Sequence, residues 1–376
     1  MSDTTPQPPP ERETESPGES APKAPETAAK GAAPARKPAA RKKAEAPAPA
    51  YTLSSSPHAR RDISIRSIMR DVLLALTPAA LCGVYFFGLH ALWVLALCVV
   101  SCIGLEALIQ RFMGTKVTIS DGSAAVTGLL VGMTMPPKAE WWLCITGALV
   151  AIGLGKHIFG GLGFNPFNPA LLARVVLLIS FPAQMTAFYS PSFFGLDAVS
   201  AATPLSQFHE GRIRGLGIGE AADVSLWSAF FGNIPGSIGE TSALALLLGG
   251  IFLLLRGHIT WDIPVAMLGT VALVSGVCWW IDPVNFVQPT FHLITGGMML
   301  AALFMATDMV TSPLTTKGKL IFGIGCGLIT IVIRQWGGYA EAVSFGILLM
   351  NAAVPIIDRY TAPRLYGTGR RARRRI

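Results

Sequence analysis

Thr203 stands in the run Asp197-Ala198-Val199-Ser200-Ala201-Ala202-Thr203-Pro204-Leu205, a polar stretch between two blocks of strongly apolar sequence. A hydroxyl so placed can accept a nucleotide through its phosphate, a flavin nucleotide among them. It can equally cap a turn, as Ser and Thr commonly do. The first chemistry would make the chain a redox carrier; the second leaves it compatible with a simple pore.

Two amides and two carboxylates are the next candidates. In Phe164-Asn165-Pro166-Phe167-Asn168-Pro169 the prolines forbid a regular helix, and Asn165 and Asn168 can replace lost backbone partners. The segment suits the lining of a flavin ring or an ion path. It also suits a helix start, with Asn168 as cap and Pro169 in the first turn. Glu106 and Asp308 are carboxylates inside apolar runs. Such groups face a cavity, pair, or bind an ion when they lie in lipid. Asp308, followed by Thr311-Ser312, is the preferred candidate for a cation or proton, against a plain helix-end cap. Asp121, His157, Asp262, Asp282, His292, Glu341 and Asp358 lie nearer the boundaries of such runs. Lys156 is expected to snorkel to the interface. Cys82, Cys98, Cys102, Cys144, Cys278 and Cys326 all fall in apolar runs without a C-x-x-C pair, which argues for packing roles and no metal site. Gly215-Leu216-Gly217-Ile218-Gly219 lacks the strand and βαβ context of a dinucleotide fingerprint.

The elements that must position these residues are membrane helices. The chain has 376 residues, 51% hydrophobic and 14% charged, with charge gathered at its ends and in a few loops. Apolar runs of roughly 17–25 residues, the length of a bilayer crossing, recur and are apolar all round. They predict an all-α polytopic membrane protein with about ten spans. These are Met69–Gly88, Ala91–Gln110, Gly122–Pro136, Trp141–Phe159, Ala170–Pro182, Thr241–Arg256, Ile263–Ile281, Leu293–Thr307, Leu320–Trp336 and Ala342–Ile357. The third, fifth and eighth are short. Broken backbone at membrane depth must be surrounded by protein or a wet cavity, so these three mark the interior of the bundle.

The organisation follows. Residues 1–66 form a Pro/Ala/Lys-rich tail expected to be disordered; 67–182 are a first membrane half; 183–240 a loop carrying Thr203; 241–358 a second half; 359–376 a basic tail. Loops assigned to the inside hold Arg111, Lys116, Lys156, Arg256, Lys317 and Lys319 plus both basic tails. Those outside hold only Lys138, Arg212, Arg214 and Arg334. This asymmetry puts both termini in the cytoplasm and the Thr203 loop beyond the membrane. Gly128 to Pro136 resembles Ala301 to Pro313, and Phe181-Pro182 matches Val354-Pro355. The halves therefore read as two inverted five-helix repeats. Trp141-Trp142 and Trp279-Trp280 fit interfacial belts, and the cluster Arg370–Arg375 fits an anchor on anionic lipid, not nucleic acid.

Taken together with Ser55-Ser56-Pro57-His58, Ser180 to Thr186, Thr307 to Pro313, Gly337-Gly338-Tyr339 and Asn351 to Asp358, these segments resemble the D subunit of the bacterial Rnf complex. That complex is an ion-translocating ferredoxin:NAD⁺ oxidoreductase. The chain is more distantly similar to the B subunit of the sodium-pumping NADH:quinone oxidoreductase. The resemblance runs over residues 52–367. It implies FMN joined by a phosphoester to a periplasmic threonine, attached by a separate flavin transferase that reads Asp-x-x-Ser/Thr-x-Ala-Thr. Asp197, Ser200, Ala202 and Thr203 match that pattern, and Ala201 stands where many members have Gly. It further implies a second, non-covalent flavin (riboflavin) in the bundle, coupling to Na⁺ or H⁺, iron–sulfur and flavin subunits as partners, and the bacterial inner membrane. The rivals are a non-redox inverted-repeat permease or channel, and the flavin subunit of the quinone-reducing relative.

Overall fold

The computed structural model describes residues 64–191, 200–213, 225–339 and 341–363. The amino-terminal tail, Asp197, the Gly215–Gly219 run and the terminal arginines lie outside the described residues. Among the described residues the chain is helical throughout, with one isolated antiparallel bridge, Tyr189 to Ser200.

The first half begins with α1 (Ile65–Phe87) and α2 (Leu89–Phe112). Ser64 caps α1 by accepting from Ser67 N at 3.2 Å. Then come α3 (Ser123–Met133) and α4 (Trp141–Leu149), the latter continuing as a π-helical segment over Val150–His157. Next are α5 (Pro169–Ser180) and the short α6 (Pro182–Met185). The loop region holds α7 (Pro204–Ile213) and α8 (Leu226–Phe231). The second half has α9 (Ala243–Arg256), α10 (Asp262–Ile281), α11 (Pro289–Ile294) and α12 (Met298–Leu300), the last continuing as a π-helical segment over Ala301–Met305. It closes with α13 (Thr316–Trp336) and α14 (Val343–Thr361).

Among the described residues five helices, α1, α2, α10, α13 and α14, are long and apolar enough to cross a membrane. Three shorter apolar helices, α3, α5 and α9, accompany them. Large apolar side chains point outward, as at Leu255 and Trp280, which are 83% and 84% exposed. A water-soluble fold rarely tolerates such continuous apolar exposure, whereas lipid favours it. The chain is a multi-pass membrane protein. Leu76 and Ala79 of α1, Leu130 and Val131 of α3, Leu171 and Leu177 of α5, and Met298 with residues 300–305 all belong to one buried cluster.

Of the short third, fifth and eighth runs, the third and eighth carry no exposed large apolar residue, whereas the fifth leaves Ile179 57% exposed. The eighth is broken outright: α11 and α12 are separated at Thr295-Gly296-Gly297. Gly297 has φ 65° and precedes α12; Gly122 has φ 82° and precedes α3. Both helices start from a left-handed residue that a side chain would strain.

Candidate functional site

Thr203 is the residue that caps the start of α7, and its surroundings are closed. The hydroxyl oxygen accepts from Ser206 N at 3.1 Å and lies 2.9 Å from Ser206 Oγ. Ser206 Oγ also lies 2.8 Å from Thr203 O. Thr203 is only 4% exposed. Ser200 and Ala202 are exposed beside it, and Ser200 is held by its bridge to Tyr189. Asp197, the first residue of the pattern, lies outside the described residues.

The sequence of α7 puts one face inward at 205, 208 and 212, the i, i+3, i+7 spacing of a helix stripe. Leu205 and Phe208 form a small buried cluster with Val287 and Phe291. Phe208 meets Phe291 and the His292 ring edge to face, with centroids 6.3 and 5.7 Å apart. The Arg212 guanidinium sits 4.3 Å above the Phe286 ring and 5.5 Å from that of Trp336. Burial there lowers its affinity for a proton from the usual arginine range. In the adjoining loop the Asn285 side chain and the Asn285 and Val284 N–H groups hold the Asp282 carboxyl below its ordinary range.

Beneath α7, Arg334 binds the break between α11 and α12. The side chain is 1% exposed. Nη1 donates to His292 O at 2.7 Å, and Nη2 donates to Thr295 O at 3.1 Å and Gly296 O at 2.7 Å. Carbonyls freed by the broken helix thereby gain a charged donor, as buried backbone requires. The sequence count placed Arg334 in an outside loop. It belongs instead to the last turn of α13, and its charge is spent inside the protein.

A second buried arginine lies deeper. Arg174 on α5 donates to Thr134 O at the end of α3 and pairs with Glu240 and with Glu341. One guanidinium thus ties the end of a short span to carboxylates ahead of α9 and α14. Arg174 and Glu240 escaped the sequence reading. The signal was present, because an arginine within the apolar run of a short span is a functional flag by itself.

On the other side of the bundle Asn165, Asn168 and Asp308 share one cavity of about 320 Å³. Val126, Leu130, Leu253 and Phe304 supply apolar walls. Asn168 starts the helix as expected and also bonds across the bundle. Its Oδ1 accepts from Ala170 N at 3.0 Å and Leu171 N at 3.3 Å, capping α5. Its Nδ2 donates to Met305 O at 3.1 Å, tying the first half to the broken eighth span. Asn165 donates to Phe167 O at 3.2 Å within its own turn. Asp308 accepts from Thr311 Oγ1 at 3.1 Å and Val310 N at 3.4 Å, closing a turn between the end of the π-helical segment and α13 and not capping a helix, while facing the cavity.

Glu106 is not on the cavity wall. It pairs with Lys156, whose Nζ lies 2.7 and 2.8 Å from the two carboxylate oxygens and 2.6 Å from Ser123 Oγ. Lys156 is 2% exposed and does not snorkel to the interface. The π-helical turn around it directs the ammonium inward, where the buried carboxylate compensates it. Lys156 and Ser123 themselves line the cavity, so Glu106 alone stands one residue behind it. A smaller cavity of about 150 Å³ adjoins, bounded by His258, Thr260, Ser312 and Lys319. His258 Nε2 is 2.9 Å from the buried carboxylate of Asp71 on α1. Among the described residues no His, Cys, Asp or Glu cluster could hold a metal ion.

The chain is 44% identical over 325 residues to the D subunit of the proton-translocating ferredoxin:NAD(+) oxidoreductase complex of Clostridium ljungdahlii, covering 85% of this chain and 97% of the relative. It is also 44% identical over 317 residues to the D subunit of the Na(+)-translocating ferredoxin:NAD(+) oxidoreductase complex of Acetobacterium woodii, covering 84% and 95%. The D subunit of the ion-translocating oxidoreductase complex of Stutzerimonas stutzeri is 42% identical over 333 residues, covering 82% and 94%. Residues 52–367 match the model of a single family. The chain belongs to the NQR2, RnfD, RnfE family.

Proposed function

We propose that this chain is the flavin-carrying membrane subunit of an ion-translocating ferredoxin:NAD⁺ oxidoreductase in the bacterial inner membrane. Thr203 holds FMN by a phosphoester on the periplasmic side, and both termini are cytoplasmic. Its partners supply the iron–sulfur and NAD⁺ chemistry, and a flavin transferase matures it. The observation that carries the reading is Thr203 at the N-terminus of α7, in the Asp197/Ser200/Ala202/Thr203 pattern, in a chain aligned with its D-type relatives over most of its length. A helix N-terminus favours a phosphate through its free amides and dipole, so the residues present suit such an ester. FMN, when attached, supplies one- and two-electron transfer. The protein anchors it above the broken helix that Arg334 stabilises.

The large cavity suits a second flavin, riboflavin. Its apolar walls fit a planar ring, and Asn165, Asn168 and Asp308 are polar groups at its margin. The adjoining polar cavity fits a polyol chain. The two relatives of equal identity carry different ions in their names, so identity at this level does not select Na⁺ or H⁺.

Ten crossings in two inverted five-helix repeats complete the reading. Supporting it, α3 and α12 each start from a left-handed glycine. Thr134 and Thr307 each donate a side-chain hydrogen bond back to a carbonyl of the preceding turn. In each half a buried cation from the next long segment, Lys156 or Arg334, reaches the start of the interrupted one. The test of function is a denaturing gel under ultraviolet light. A fluorescent band at this polypeptide that disappears in Thr203→Ala supports the carrier. A dark wild-type band from cells with active transferase favours a permease.

A further inference from the structure

With α7 docked, the Thr203 hydroxyl is hydrogen-bonded to Ser206 and the residue is only 4% exposed. We propose that the flavin transferase acts on a state in which α7 has lifted from the bundle, so that attachment comes before docking or needs its reversal. The inference rests on the reading of Thr203 as the flavin site and deepens it.

Three independent features close the site. The acceptor oxygen is engaged by Ser206 N and Ser206 Oγ, on a residue that is almost wholly buried. The residues before it are strapped: Ser200 bridges to Tyr189, and Ala201 N donates to Phe188 O at 3.1 Å. An enzyme reading Ser200 to Thr203 as an extended strand must release that strap. Finally, α7 is pinned along its inward face by Leu205, Phe208 and Arg212. Leu205 also lies against Gly296, beside Arg334.

Among the described residues, the partners of that face lie later in the chain: Phe286, Val287, Phe291, His292, Gly296 and Trp336. During synthesis from the amino end, Thr203 is made while none of these exists. The packing of α7 against these residues can form only after the second membrane half has been made. This leaves an early window in which α7 is undocked.

The transfer balances without any redox change. Thr203 Oγ1 forms a bond to the FMN phosphorus of a flavin adenine dinucleotide. The bond from that phosphorus to the bridging pyrophosphate oxygen breaks, AMP leaves with that oxygen, and the hydroxyl proton passes to a base of the transferase. The product ester carries one negative charge beside the amides at the start of α7, and its bulk must project out of the present cap.

The test uses the full chain made without transferase, purified in detergent, then given transferase and FAD. Flavin gain is followed by intact mass. Wild type is expected to be labelled at least tenfold more slowly than Phe208→Ala and Arg212→Ala. Equal initial rates in the three chains overturn the proposal. If the variants fail to insert, wild type in graded sub-denaturing urea replaces them, with amide exchange over residues 205–213 read in parallel. Labelling must rise with exchange; exchange that rises while labelling stays flat overturns it. Co-expression of transferase with each chain separates the two readings. Flavin on all chains there, with slow labelling of folded wild type, supports the closed acceptor. No flavin on any chain, even there, sinks the flavin reading and this inference with it.

Discussion

Lys156 Nζ lies 2.7 Å from Glu106 Oε2, joining the π-helical end of the fourth segment to α2 with both side chains almost wholly buried. Removing one partner leaves the other charge in a low-dielectric interior, which costs about 3–5 kcal/mol. Glu106→Gln is therefore expected to lower the thermal midpoint of the detergent-purified protein sharply. The double change Glu106→Leu with Lys156→Met should recover most of the loss. A double variant no more stable than the single one would show that the pair's charges are needed for something besides each other.

Arg334 predicts a strict requirement for its forked head group. Arg334→Lys keeps the charge but cannot reach His292 O, Thr295 O and Gly296 O together. Hydrogen bonds to charged groups contribute about 1.5–3 kcal/mol each, so losing two of the three should cost roughly 3 kcal/mol or more. Urea unfolding in micelles measures it. A lysine variant as stable as wild type would remove the role assigned to the fork.

Asn168 separates capping from bridging. Asn168→Asp retains an acceptor for Ala170 N and Leu171 N but loses the donor to Met305 O. Asn168→Ala loses both. The cap alone is worth about 1 kcal/mol. The aspartate is expected to keep α5 intact, by amide exchange over residues 169–173, while loosening exchange around residues 303–306. Equal loosening of both regions in the two variants would deny the division.

Thr203→Ser is the informative conservative change at the flavin site. It retains a hydroxyl able to cap α7 and accept an ester, so in-gel fluorescence should persist, whereas Thr203→Ala should be dark. An unmodified tryptic peptide across residue 203 from wild-type cells with active transferase would exclude attachment there.

Much of the fold was legible because membrane helices announce themselves by length and uniform apolarity. The expected spans and the observed helices coincide within a few residues at α1, α2, α10, α13 and α14. The short third and eighth runs marked buried segments, while the fifth, with Ile179 exposed, is interior only in part. Asn168-Pro169 was readable as a helix start because cap and first-turn preferences are local. Lys156 and Arg334 were misread because a basic residue near the end of an apolar run looks the same in sequence whether it meets water or a buried partner. Glu106 lies 50 residues from Lys156, and Arg334 lies 38–42 residues from the carbonyls it binds.

The sequence by itself determined that the chain is an all-helical membrane protein, and it singled out Thr203, Asn165, Asn168 and Asp308. Those features depend on composition and on neighbours within a turn or two. Only the tertiary structure decided that Asn165, Asn168 and Asp308 share a cavity, that Arg174 and Arg334 brace the ends of short spans, and that Leu205, Phe208 and Arg212 dock α7 on residues 286–291 and Trp336. Each of these depends on side chains from distant segments meeting in a medium with no water to compensate them, and such pairing leaves no mark in local periodicity.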